Sequence, residues 1–142
     1  MIPTIEFMKK YFPIFNKRFF ENKLKEPVFE IEHKKTHLGE FQQCIDLSPH
    51  GNELSIDVIR MTDYYQLEEQ TALEVLIHEM IHLWTNQTPD PSCPDRHLPV
   101  DHGKWFKMKA AEINGISKFH ISVTCDGTTL VKASKKDKQK KN

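Results

Sequence analysis

The stretch from Gln66 to Trp84 constrains the fold more than any other part of the chain. It contains neither glycine nor proline, the two residues that most weaken a helix interior. Its apolar side chains recur mostly at steps of three or four residues, which places them on one face of an α-helix. They are Leu73, Leu76, Ile77, Met80 and Trp84. The sequence therefore predicts a long helix with one face packed in the core.

A five-residue pattern within this helix indicates a metal-binding site. His78-Glu79-Met80-Ile81-His82 matches H-E-x-x-H, and residues four apart share a helix face, so both imidazoles can bind one zinc ion. Glu79 then lies beside the metal, where it can accept a proton from zinc-bound water. The apolar stripe gives no packing reason for two histidines at this spacing. The pattern predicts His78 and His82 as zinc ligands and Glu79 as the catalytic base.

A catalytic zinc site needs a third protein ligand, which must come from elsewhere in the chain. Thr88 occupies the position at which a metzincin carries its third histidine, and this excludes that subclass. Five downstream side chains remain as candidates. They are His97 and His102, with Asp95, Asp101 and Glu112 as carboxylate alternatives.

His102 is the preferred third ligand because of the helix predicted around it. That helix runs from about residue 101 to Asn114, with Gly115 placed to cap its end. On it His102 shares a face with several apolar residues, interrupted by Lys109, and should therefore point toward the core. These residues are Trp105, Phe106, Ala110 and Ile113.

The other two nearby candidates are less well placed for zinc. His97 lies in a loop predicted over residues 85–100, which contains four prolines and offers no rigid support. Asp101 suits a helix N-cap or a partner that orients an imidazole. Asp57 and Glu74 could also orient an imidazole. Four further histidines are interpreted as ordinary surface or strand residues: His33, His37, His50 and His120.

The rest of the chain predicts an α+β fold. Met8, Phe12, Phe15 and Phe19 form a helical stripe, with a kink or new first turn at Pro13 and an end between Glu21 and Leu24. Apolar and polar residues then alternate over residues 29–32, 45–47 and 54–58, and turn-forming residues at 48–52 predict a hairpin between the last two strands. A further alternation begins at Ile121 and leads to a second hairpin signal at Asp126-Gly127.

Length and charge predict one domain, residues 1–131, followed by a lysine-rich tail, residues 132–142. The tail holds six lysines and one aspartate, so we expect it to be disordered and solubilising, with at most weak attraction for DNA through phosphate contacts. No apolar run reaches the roughly 18 residues that would cross a bilayer. The start of the chain lacks the features of a signal peptide. We therefore expect a cytoplasmic protein without a membrane partner, whose three scattered cysteines are reduced thiols.

Several motifs in order resemble the SprT-like metallopeptidase family, which includes bacterial SprT proteins and the eukaryotic Spartan proteases. The resemblance runs from about Tyr11 to Ile116. It rests on Phe15-Asn16, Phe19-Phe20, Leu24, Leu38-Gly39, the H-E-x-x-H stretch, His102-Gly103 and Phe106. The resemblance implies zinc at His78, His82 and His102, Glu79 as the base, and a zincin-like fold in which an N-terminal helix and a small sheet pack on the metal-bearing helices.

Two departures limit what the resemblance implies. Many relatives carry a C-terminal zinc ribbon, whereas Cys125 has no Cys-x-x-Cys partner. The DNA-dependent cleavage of Spartan proteases belongs to segments that this chain does not match. The leading hypothesis is a zinc metallopeptidase that hydrolyses peptide bonds in protein or peptide substrates. The alternative is a zinc-containing binding module for a protein or nucleic-acid partner.

Overall fold

A computed structural model describes residues 1–47, 53–87 and 103–122 of the chain. Within these ranges the fold is α+β, with three helices and a three-stranded mixed sheet. The elements are α1 (Ile5–Phe19), β1 (Val28–Glu32), β2 (Gly39–Leu47), β3 (Glu53–Thr62), α2 (Glu69–Gln87) and α3 (Lys104–Ile116).

The first helix confirms the predicted aromatic stripe, since Met8, Phe12, Phe15 and Phe19 are all buried. Thr4 caps its start by accepting a hydrogen bond from the Phe7 amide at 3.1 Å. The predicted break at Pro13 does not divide the helix. Pro13 is exposed, so water can satisfy the carbonyl whose hydrogen bond the ring removes.

The end of α1 comes slightly earlier than expected. The helix stops at Phe19, and the chain then turns through two residues with positive φ, Glu21 at 56° and Asn22 at 62°. Asn16 fastens this turn because its buried side chain binds both backbone groups of Leu24. The amide donates to the Leu24 carbonyl at 3.0 Å, and its oxygen accepts from the Leu24 N–H at 3.1 Å.

The sheet has the strand order β1-β3-β2. β2 and β3 are antiparallel, with Leu47 opposite Glu53, which confirms the predicted strand pairing; the turn at 48–52 lies outside the described residues. β1 pairs with β3 in parallel. The core side chains of the sheet include Ile59 and Met61, which have no exposed surface.

The second helix is the one predicted most directly by its sequence. Leu76, Ile77 and Met80 are fully buried, and Leu73 nearly so. The helix continues to Gln87, so residues 85–87, expected to be loop, are helical. Residues 88–102 lie outside the description. Within residues 1–47, 53–87 and 103–122, no helix combines the length and apolarity needed to cross a membrane.

The third helix confirms most of its predicted core face and corrects both of its ends. It begins at Lys104 with Gly103 as its N-cap, rather than at about residue 101, and Trp105 is only half-buried. Phe106, Ala110 and Ile113 are buried. Gly115 lies inside the last turn rather than capping it, and the helix ends at Ile116. Lys109, which interrupts the apolar face, is only 7% exposed.

The chain after α3 does not begin the expected strand within the described residues. Ile121 is buried, but residues 117–122 are irregular. Asn114 holds this segment by accepting from the Ile121 N–H at 2.7 Å and donating to its carbonyl at 3.2 Å. These two bonds satisfy the Ile121 backbone groups that a strand ladder would otherwise pair. The hairpin signal at Asp126-Gly127 and the lysine tail lie beyond the described residues.

Candidate metal centre

The middle of α2 presents the three residues of the H-E-x-x-H pattern. His78 is 5% exposed and Glu79 2% exposed, whereas His82 is half-buried. The imidazole rings of His78 and His82 have centroids 5.1 Å apart and are inclined at 71°. The helical spacing therefore brings two imidazoles and one buried carboxylate to a single region of the molecule.

Side chains from two other elements surround these imidazoles. The Phe106 ring of α3 lies 4.9 Å from the His78 ring and 4.6 Å from the His82 ring, measured between centroids. Phe41 of β2 stacks on His82, with centroids 6.4 Å apart and planes inclined at 16°. These contacts restrict the rotamers of both histidines, so the sheet and α3 together hold the imidazoles in place.

A cleft opens beside His78 and Glu79, between α2, the start of β2 and the segment after α3. Its empty volume is about 340 Å³, part of which is open solvent. Leu38 and Val75 supply apolar walls, and Glu74 and His120 supply polar ones. Gly39 and Ser122 complete the lining. The sequence predicts an ordinary surface or strand residue at His120, and only the fold reveals that it borders the cleft.

Most candidates for the third ligand lie outside the described residues. This is true of His102, His97, Asp95 and Asp101. Glu112 is described, and its carboxylate pairs with the Lys109 ammonium at 3.0 Å. That ammonium lies over the rings of Phe20 and Trp84, at 5.1 and 5.2 Å from their centroids.

The two described candidates for orienting an imidazole have other partners. Asp57 accepts hydrogen bonds from Asn86 at 3.0 Å and Gln87 at 2.8 Å, and so attaches the end of α2 to β3. Glu74 accepts from the Gln70 side chain at 3.0 Å and from the His120 backbone N–H at 2.9 Å. Both carboxylates therefore fasten elements of the fold.

A second group of side chains that could bind a metal ion lies on the face of the sheet opposite α2. Glu32, His37 and Glu40 bring one ligand atom each within 4.8 Å of one another. His37 already contacts Glu32 at 2.6 Å, and Arg60 lies 3.6 Å from Glu40. Burial alone would lower the pKa of Arg60, but its hydrogen bond to Glu30 and the surrounding carboxylates raise it. Arg60 therefore supplies a permanent positive charge beside these carboxylates, which already take part in ion pairs.

Comparison with known proteins identifies the family. The model of the SprT-like family matches residues 8–125, a range that includes most of α1, the sheet, the three residues on α2, and α3. The chain therefore belongs to the SprT-like family, and its domain is metallopeptidase-like. No curated protein and no solved structure matches the chain.

Proposed function

We propose that this protein is a zinc-dependent metallopeptidase that cleaves peptide bonds in protein substrates, with Glu79 as its catalytic base. The observation that carries the proposal is the burial of the Glu79 carboxylate beside two imidazoles 5.1 Å apart. Glu79 is 2% exposed as a residue and lines the same cleft as His78. The proposed base and one proposed ligand therefore border the same space, as a base acting on zinc-bound water must.

The donor set of this region fits zinc. Two imidazoles at a four-residue helical spacing match the ligands that zinc takes in catalytic sites. Phe41 and Phe106 hold them from two sides, as a preorganised site requires. When bound, zinc would polarise the peptide carbonyl and make water a stronger acid. We infer His78 and His82 as two ligands and an arrangement of the zincin type.

We propose His102 as the third ligand. Gly103 is the N-cap of α3, and His102 immediately precedes it in the sequence. Phe106, in the first turn of α3, contacts both imidazoles. This proximity supports His102 over His97, which is five residues further from the anchored helix.

In this mechanism Glu79 has two tasks. Its carboxylate accepts the proton that water loses on attacking the peptide carbonyl, and then passes that proton to the departing amine. Phe41 and Phe106 keep the imidazoles fixed, so the geometry does not have to be formed anew during the reaction. Leu38 and Val75 give the adjacent cleft apolar walls against which a substrate side chain can pack.

Replacement of Glu79 by glutamine tests the proposal. Glu79→Gln keeps the size and hydrogen-bonding reach of the side chain but cannot accept a proton, so zinc should remain while cleavage falls. General acid-base groups contribute about 10² to 10⁴ in rate, and we expect a loss in the upper part of this range. The measurement is zinc content and cleavage of an unfolded protein, with and without DNA.

Glu69→Gln is the matched control, since Glu69 is an exposed carboxylate in the first turn of the same helix. It should leave cleavage unchanged. Equal cleavage by the native protein and Glu79→Gln would refute the role of Glu79. If neither cleaves any substrate, the alternative of a zinc-containing binding module for a protein or nucleic acid gains support.

The remaining expectations extend the same proposal. We propose that the catalytic domain spans residues 1–131 and acts in the cytoplasm, and that residues 132–142 add at most weak DNA binding. Protein or peptide chains are the expected substrates.

A further inference from the structure

We propose that Gly39 is a positioning residue that determines where the Glu79 carboxylate lies. This inference rests on the proposed function, because it concerns the same glutamate. Gly39 is the first residue of β2 and borders the cleft beside Glu79. Gly39 has no side chain that could take part in the reaction, so we expect its effect to act through Glu79.

The distances around Gly39 carry the inference. A Cβ atom added to Gly39 would lie 2.7 Å from Val75 Cγ1, 3.0 Å from Glu79 Oε2 and 3.3 Å from Glu79 Cγ. Ordinary van der Waals contacts between carbon atoms are about 3.5 to 4.0 Å. Any side chain at this position would therefore press on α2 at the glutamate itself. Only glycine allows the strand to approach the helix this closely.

Neither the strand nor the helix can move away cheaply. Gly39 pairs with Met61 of the central strand, and the Thr62 N–H donates to the Leu38 carbonyl at 3.0 Å, so β2 is fixed on its far side. Val75 is β-branched and therefore rigid on a helix. Glu79 is 2% exposed, and the open space that it borders is the cleft. An added methyl group must therefore displace the Glu79 carboxylate, the Val75 side chain or both.

The requirement for glycine here is steric. The φ of Gly39 is not in the left-handed region, so alanine can adopt the same backbone conformation. Gly39→Ala therefore adds one methyl group and little backbone strain. The chain offers a matched control in Gly115→Ala, since a Cβ at Gly115 would meet no atom within 4 Å.

The first experiment measures coupling by chemical unfolding of the zinc-loaded protein. Gly39→Ala should lower the unfolding midpoint, and the loss should shrink when combined with Glu79→Ala, which removes the two Glu79 atoms that the new methyl would meet. An equal loss in both backgrounds would overturn the proposal. Gly115→Ala should leave the midpoint unchanged or raise it. This readout needs no catalytic activity.

The second experiment measures cleavage at full zinc occupancy. Displacement of a catalytic group by about 1 Å can cost roughly 10² in rate, so Gly39→Ala should lower kcat by about 10- to 100-fold while zinc content stays constant and KM changes less. An unchanged kcat, or a loss that only follows zinc loss, would contradict the inference. If the native protein shows no cleavage, the proposed function fails, whereas the unfolding experiment still decides whether Gly39 acts on Glu79.

Adding Val75→Ala to Gly39→Ala separates the contact with Val75 from the contacts with Glu79. The double variant also provides a test if Gly39→Ala alone does not fold. In Gly39→Ala/Val75→Ala the closest contact is gone, but the contacts with Glu79 at 3.0 and 3.3 Å remain. Stability should therefore recover in part, while kcat should stay low relative to Val75→Ala alone. Complete recovery of kcat would assign the effect to Val75 and refute positioning of Glu79.

Discussion

The Phe106 ring shows how a single residue can link the third helix to the candidate metal centre. It packs at 4.9 and 4.6 Å from the two imidazoles of α2, measured between ring centroids. Aromatic contacts of this kind contribute about 0.5 to 1.5 kcal/mol beyond their buried area. The start of α3 is therefore held close to the imidazoles, which limits where a ligand just before that helix can lie.

This placement leads to a prediction about the third ligand. We expect the native protein to hold one zinc ion per chain, and His102→Ala to release it much more readily than His97→Ala, because only His102 adjoins the anchored helix. Zinc retained after dialysis against a chelator is the measurement. Greater loss from His97→Ala than from His102→Ala would show that the third ligand is wrongly assigned.

Some residues of the site could be predicted from the sequence and others could not. His78, Glu79 and His82 are recognisable because a helical period places them together over five residues. Gly39 belongs to a motif of the family resemblance and His120 to none, but neither has a periodic signal that would place it at the site, since both reach it through the approach of distant segments. Lys109 looked like an interruption of the core face, but its ammonium is accommodated over two aromatic rings and beside Glu112.

At the scale of elements, two helices hold the chain that follows them in the same way. Asn16 near the end of α1 binds the backbone N–H and carbonyl of Leu24. Asn114 near the end of α3 does the same for Ile121. One side-chain amide thus satisfies a donor and an acceptor that would otherwise be left without a partner. These clamps position the segments that lead to β1 and to His120 at the cleft.

The two asparagines differ in burial, so replacing each of them should lower the free energy of unfolding by a different amount. Asn16→Ala should lower the free energy of unfolding by about 1 to 3 kcal/mol, because it leaves buried backbone groups unsatisfied. Asn114→Ala should cost less, since Asn114 is only half-buried and water can replace its bonds. Chemical denaturation measures both, with zinc content as the control for the metal centre. A larger cost for Asn114→Ala would contradict this ranking.

The positions of helices and strands could be predicted where apolar residues recur with a clear period. The stripes of α1 and α2 and the alternation on either side of residues 48–52 all predicted the correct type of element. Pro13, Gly115 and Ile121 illustrate the limit. Their local preferences favour a kink or a new first turn, a cap and a strand. The helix instead continues through Pro13 without a new first turn, Gly115 is helical, and the Asn114 side chain binds the Ile121 backbone. Tertiary context overrides such weak local preferences.

At the scale of the whole molecule, the core that supports the candidate site is built from residues between Met8 and Ile121. Segments far apart in sequence converge on α2: Phe41 and Gly39 from the sheet, and Phe106 from α3. The stability of the site therefore depends on the packing of the whole domain. The tail contributes a different property, a cluster of six lysines against one aspartate in a chain whose formal net charge is zero.

Removal of residues 132–142 tests whether the tail contributes charge for DNA binding but nothing to the stability of the domain. Because lysine-rich segments bury little apolar surface, the truncated protein should keep its unfolding midpoint and its zinc content. Its affinity for duplex DNA should fall, and the salt dependence of binding should become shallower, since each phosphate contact contributes about 0.9 to the slope of log K against log salt. Titration of labelled DNA at several salt concentrations measures both quantities. Unchanged affinity and slope, or no binding by the full chain, would exclude the tail as a DNA contact, and a lowered midpoint would show that it takes part in the fold.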